Sequence, residues 1–190
     1  MLGVVLTNDL KWNENTKYLV KKANLRLQLL RKVAEFSTSI EDKRTIYLLY
    51  VRSILEQSSV IWHSSLSQEN SEDLERVQKS AVRIILGTKY ENYEDALLKV
   101  NLETLKDRRT VLSKKFAIKC TKSDNIRVSD IFKDRKKLHK MNMRNGEVYK
   151  VDYAHTERLK NSSIPYMQRL LNLENKLEIT KKRKIKYQNV

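Results

Sequence analysis

The chain reads as a mainly α protein with one short strand at its amino terminus. It holds only three glycines and one proline in 190 residues, far fewer turn formers than an all-β architecture needs. Its apolar residues recur at helical spacing as far as about Thr121. Only residues 2–6, LGVVL, form a strand-like run, β-branched at Val4 and Val5 and closed by the turn-forming pair Asn8-Asp9.

Each helix follows from its own pattern. Asn13 is placed to cap one running from about Thr16 to Phe36, with Leu19, Ala23, Leu27, Leu30 and Ala34 on one face. Lys21, Lys22, Arg26, Arg31 and Lys32 cover much of the rest. Ser39 with Asp42 resembles a capping box and opens a helix that carries Ile46, Tyr47, Tyr50 and Ile54 and ends near Glu56. The following loop, SSVIWHSSLSQEN, is too apolar at Val60, Ile61 and Trp62 for a free linker and is expected to plug into the core.

A further helix starts near Asn70 or Ser71, where Glu72, Asp73 and Glu75 favour the positive end of its dipole. Leu74, Val77, Ala81 and Ile84 form its apolar side, and Gly87 stands where a C-terminal cap belongs. YEDALLKV reads as a short helix. Thr104 with Asp107 opens the last clear one, bearing Leu105, Leu112 and Phe116 on one side and Arg108, Arg109, Lys114, Lys115 and Lys119 around it. Beyond it the pattern weakens. Asn145-Gly146 is a two-residue hairpin signal, Pro165 suits the first turn of a helix over PYMQRLLNLENKL, and the terminal KKRKIKYQNV reads as a disordered tail.

Charge is the most informative compositional feature. Of a formal net +16, residues 1–100 contribute little, with 15 Lys and Arg against 13 Asp and Glu. Residues 101–190 hold 24 against 10, a net of +14. A solvated helix face explains any one of these cations, but not so well their segregation, which points to a polyanion and to nucleic acid ahead of an anionic membrane. Lys and Arg would neutralise phosphates, and Tyr149, Tyr153 and Tyr166 among them could stack on exposed bases.

Other chemistries find less support. No apolar run approaches the roughly 20 residues of a membrane span, and residues 1–6 lack the charged and apolar regions of a secretory signal. An intracellular protein, nuclear or cytoplasmic and not secreted, is expected. The lone Cys120 allows no intramolecular disulfide and no Cys-based zinc site. His63, His139 and His155 lie far apart, and the H-x-E spacing of His155-Thr156-Glu157 has no flanking ligands. Gly3, Gly87 and Gly146 are isolated, which rules against a glycine-rich phosphate loop. The acidic pairs Glu41-Asp42, Glu72-Asp73 and Glu94-Asp95 each fall in the opening turn of a predicted helix, where dipole stabilisation accounts for them better than paired metal ions do. No cofactor, metal or membrane is expected.

Five segments in order resemble a known family. They are LGVVLTNDLKW, LEQSSVIWHSSL, LERVQKSAVRIILG, YEDALLKVNLETLKDRR with KKFAIK, and TERLKNSSIPYMQRLLN. Together they resemble the carboxyl-terminal part of the reverse transcriptases of jockey-type non-LTR retrotransposons, over nearly the whole chain to about Asn172. The resemblance implies that residues 2–6 are the last palm strand, in the primer-grip hairpin called motif E, and that Trp12 anchors the first thumb helix. Glu56, Trp62 and His63 would match an E-Y-x-x-P-V-W-H block, and Arg76, Gln78, Lys79 and Arg83 would lie on the thumb helix after it. Thr7, Asn15, Gln57 and Val60 depart from the pattern.

The implied organisation is a palm-edge strand remnant at 1–12, a helical thumb-like domain at 13–121, a basic extension at 122–178 and a basic disordered tail at 179–190. The family's metal-binding palm carboxylates would precede Met1, so the resemblance implies a non-catalytic fragment that binds RNA or a template-primer duplex. Its contacts would be Arg108, Arg109, Lys114, Lys115, Lys119, Lys136, Lys137, Lys140, Arg144, Arg158, Arg169, Lys181, Lys182, Arg183 and Lys184. A second reading is a host-retained interaction module that recruits protein partners through an exposed, palm-facing helical surface. The same segment also resembles the amino-terminal domain of the eighth AlkB-homologue family, whose larger members are a tRNA methyltransferase and an iron dioxygenase. Neither activity is supported by the residues, which include no H-x-D with a distal His and no glycine-rich loop for a methyl donor.

Overall fold

The structure is a computed structural model that describes residues 3–36, 38–132, 148–151 and 153–188, with side chains omitted at 126 and from 178 onward. It is mainly α, and no strand is present among the described residues. The helices are α1 (Asn13–Glu35), α2 (Ile40–Ile46), α3 (Ser53–Leu55), α4 (Ser59–Trp62), α5 (Gln68–Leu86), α6 (Tyr93–Lys99), α7 (Leu105–Thr121), α8 (Ile126–Ser129), α9 (Glu157–Lys160) and α10 (Ser163–Gln188). Two compact units are formed, Met1–Thr110 and Val111–Val190.

In the first unit α1 packs along α5 and against the segment joining α2 to α3. Leu19, Ala23, Leu27 and Leu30 of α1 meet Leu74, Val77, Ala81, Val82 and Ile85 of α5 in one buried core. Local signals set most helix ends. Ser39, Ser67 and Asn92 accept the backbone N–H of Asp42, Asn70 and Asp95, and Thr104 Oγ1 accepts that of Asp107 at 3.1 Å. Each satisfies a donor that the first helical turn leaves unpaired. Gly87 closes α5 at φ +55°, a conformation that costs glycine little and other residues more.

Four local expectations change. Residues 4–7 form no strand, because the described residues hold no neighbouring strand to pair them; instead the Val5 N–H donates to Asn15 Oδ1 at 3.1 Å. Asn13 does not cap α1, whose cap position is Trp12; its Oδ1 accepts from Asn70 Nδ2 at 2.7 Å. Between α2 and α3 the chain winds as a π-helix over Tyr47–Arg52. That wider turn brings Tyr47, Val51 and Leu55 into the core and leaves Tyr50 exposed. The fourth change is in α7, whose buried stripe is Leu105, Arg109, Ser113, Ala117 and Cys120, while Phe116 is exposed.

The second unit has its own small core of Ala117, Cys120, Phe132, Met167 and Leu171. The buried amide of Asn172 holds the Tyr149 backbone from both sides, accepting its N–H at 2.9 Å and donating to its carbonyl at 3.0 Å. Gln168, also buried, donates to the Ile131 carbonyl at 2.9 Å. Helix α10 begins before Pro165 and continues to Gln188, through residues read from sequence as a disordered tail. Nothing after Pro165 breaks a helix, since neither glycine nor a further proline follows. The hairpin signal at Asn145-Gly146 lies outside the described residues.

Candidate nucleic-acid interface

The cations singled out in the sequence reach different environments. Lys115 and Lys119 of α7 and Arg158 of α9 are exposed. Lys114 forms an ion pair with Glu174 of α10 at 2.7 Å, and Arg169 is half-buried. Arg108 Nε donates to Glu56 Oε1 at 3.1 Å, and Arg52 approaches the same carboxylate at 3.6 Å. Lys136, Lys137, Lys140 and Arg144 lie outside the described residues. Lys181, Lys182, Arg183 and Lys184 have their backbone in α10, with side chains outside the described set. Of the tyrosines, Tyr153 is exposed, edge-on to the His155 ring at 4.9 Å. Tyr149 and Tyr166 are instead half-buried against the small core of their unit.

Arg109 corrects the surface reading most sharply. It has 0% exposure and sits inside the first unit, where it cannot meet a phosphate in solvent. Its Nε donates to His63 Nδ1 at 3.3 Å, its Nη2 to Ser71 Oγ at 3.3 Å, and its guanidinium carbon lies 5.7 Å from the centre of the Trp62 ring. The indole supplies attraction that partly replaces lost hydration. Burial pulls the Arg109 pKa down to about 10, which leaves it charged at neutral pH. Burial first, then the charges of Arg109 and Lys106, lower the His63 pKa to about 4, so the ring is neutral there. His63 Nε2 also meets Thr110 Oγ1 at 3.1 Å.

A second buried polar centre was not legible as such. Gln78 is fully buried on α5, with its Oε1 accepting from the Tyr47 hydroxyl at 2.5 Å and its amide donating to the Glu103 carbonyl at 2.8 Å and to the Tyr93 hydroxyl at 3.0 Å. Tyr93 in turn donates to Glu75, whose Oε2 accepts the Leu105 N–H at 3.1 Å. That carboxylate therefore also holds the start of α7. Burial raises the Tyr47 and Tyr93 pKa values. The other α5 positions singled out in the sequence are peripheral: Arg76 pairs with Asp73 at 2.6 Å, and Lys79 and Arg83 lie over the Tyr93 and Tyr90 rings at 5.1 and 5.2 Å.

Both centres join side chains across elements, His63 Nε2 meeting the Thr110 hydroxyl in one and Gln78 the Tyr47 and Tyr93 hydroxyls in the other. Among the described residues no three His, Cys, Asp or Glu side chains gather as a metal site would require, and no described helix is long and apolar enough to cross a membrane. No family model, curated protein or solved structure matches the chain.

Proposed function

We propose that this chain is a thumb-like, non-catalytic portion of a non-LTR retrotransposon reverse transcriptase that binds RNA or a template-primer duplex through its basic second half. The observation that carries the reading is the segregation of charge, +14 of the net +16 beyond residue 100. Neutralising phosphates releases counterions and needs no base-specific geometry, so a surplus of cations is the feature such binding requires. Lys115, Lys119 and Arg158 are exposed for it.

The origin of the chain rests on the five ordered segments, two of which meet in the fold. Glu56, Trp62 and His63 of the LEQSSVIWHSSL block contact Arg108 and Arg109 of the block ending in LKDRR.

The test is affinity for a labelled single-stranded RNA and an RNA–DNA duplex at two salt concentrations, with and without neutralisation of Lys181, Lys182, Arg183 and Lys184. The expected result is binding that weakens steeply with salt and is reduced by the substitutions. Weak binding at low salt, indifferent to the substitutions, would overturn the reading.

A further inference from the structure

Helix α1 carries a second pattern that its packing does not use. Tyr18, Leu25 and Leu29 recur at spacings of seven and four residues, which places them in one file along the helix, away from the buried face of Leu19, Ala23, Leu27 and Leu30, and Phe36 follows seven residues on as the C-cap residue after Glu35. Tyr18, Leu25, Leu29 and Phe36 are 41%, 65%, 40% and 70% exposed. Single exposed leucines need no explanation, but an ordered file of large apolar side chains does. Its flanks have one sign of charge. Lys21 and Lys32 border it on one side, Lys22 and Arg26 on the other, and the acids of α1, Glu14 and Glu35, stand only at its two ends.

We propose that this file is a docking ridge for an acidic amphipathic helix of a partner protein. The spacing of seven and four is the one by which helices pack side by side, each apolar residue seated between residues of its neighbour. The lysines and arginine beside it select a partner whose apolar seam is flanked by Glu or Asp. A second copy of this chain is disfavoured, because pairing two α1 ridges sets the same four cations against each other. An anionic membrane is disfavoured because interfacial helices bury a broad apolar sector, whereas this one is a single residue wide. The ridge lies in the first unit, whose charge is nearly balanced, whereas the polyanion contact is proposed for the second half.

The test is fluorescence anisotropy of the full chain with a labelled synthetic amphipathic peptide about three heptads long. Its leucines are at seam positions with glutamates beside them, and a lysine-for-glutamate version is the control. Leu25→Ser with Leu29→Ser, both at exposed positions, should keep the circular-dichroism spectrum and thermal midpoint while weakening the acidic peptide about tenfold or more. Lys21→Glu with Lys22→Glu should weaken it as well, and the lysine peptide should not bind. Peptide binding that ignores the leucine substitutions is capture of an anion by the basic second half and overturns the proposal. Absence of saturable binding overturns it too, as does leucine-dependent binding to phosphatidylserine vesicles without peptide binding.

Discussion

The guanidinium of Arg109 lies over the indole of Trp62, with both side chains fully buried and 5.7 Å between the cation and the ring centre. A residue that sequence places among phosphate-binding cations is thus part of the core. Arg109→Met and the pair Lys115→Gln with Lys119→Gln are therefore expected to separate. The surface pair should lower the slope of log affinity against log salt by about one for each phosphate that is no longer neutralised. Arg109→Met should leave that slope unchanged. Titration of a labelled duplex at several salt concentrations reads both.

Trp62 is the largest fully buried side chain among the described residues, and its Nε1 donates to the Gln57 carbonyl at 3.0 Å. Trp62→Ala leaves a cavity and exposes the buried guanidinium to one. The expected loss is about 3–5 kcal/mol, read as a fall in the urea midpoint with the slope of the transition unchanged.

Tyr47→Phe removes one hydroxyl and leaves the buried Oε1 of Gln78 without its 2.5 Å donor. An acceptor left unsatisfied in the core costs about 1–3 kcal/mol. Gln78→Leu should cost more, because the Tyr47 hydroxyl and the Glu103 carbonyl lose this partner together, while Tyr93 keeps its bond to Glu75. Equilibrium unfolding of the two variants and of the double variant should give less than additive losses.

His63 gives the fold a pH dependence of known sign. Its folded pKa, about 4, is below the ordinary 6.5, so between those values the unfolded chain takes up a proton that the folded chain refuses. Stability from this group is full above pH 6.5 and is lost as pH falls toward 4, by up to about 3 kcal/mol. Unfolding curves of wild type and His63→Gln should converge over that window as pH is lowered.

Gly87→Ala meets open space, with no atom within 4 Å of the added carbon, so its effect comes from the backbone alone. At φ +55° and ψ −123° the expected cost is about 1–3 kcal/mol. A lower thermal midpoint with an unchanged circular-dichroism spectrum would be the signature.

How much was legible follows the range of the forces involved. Ser39, Thr104 and Gly87 were readable in place because a cap acts on backbone groups within one helical turn. The buried faces of α1 and α5 were readable because helical periodicity converts spacing into direction. Asn13 misled because its side chain had a distant competitor in Asn70, 57 positions away. Tyr50 misled because a π-helical turn shifts every later residue around the axis, and no local residue type announces it.

Sequence by itself determined the mainly α fold, the core faces of α1 and α5, and the concentration of positive charge beyond residue 100. These depend on local geometry and on counting. Only the tertiary structure decided that Arg109 is buried while Lys115 and Lys119 are exposed, and that Gln78 is a hub while the neighbouring Lys79 lies over a ring. It also decided that residues 4–7 form no strand and that the Val5 N–H bonds to the Asn15 side chain. Each is a choice among partners distant in the chain, made by where the helices pack, and burial of a charge is tolerated only where such packing brings an indole, an imidazole and a hydroxyl to meet it.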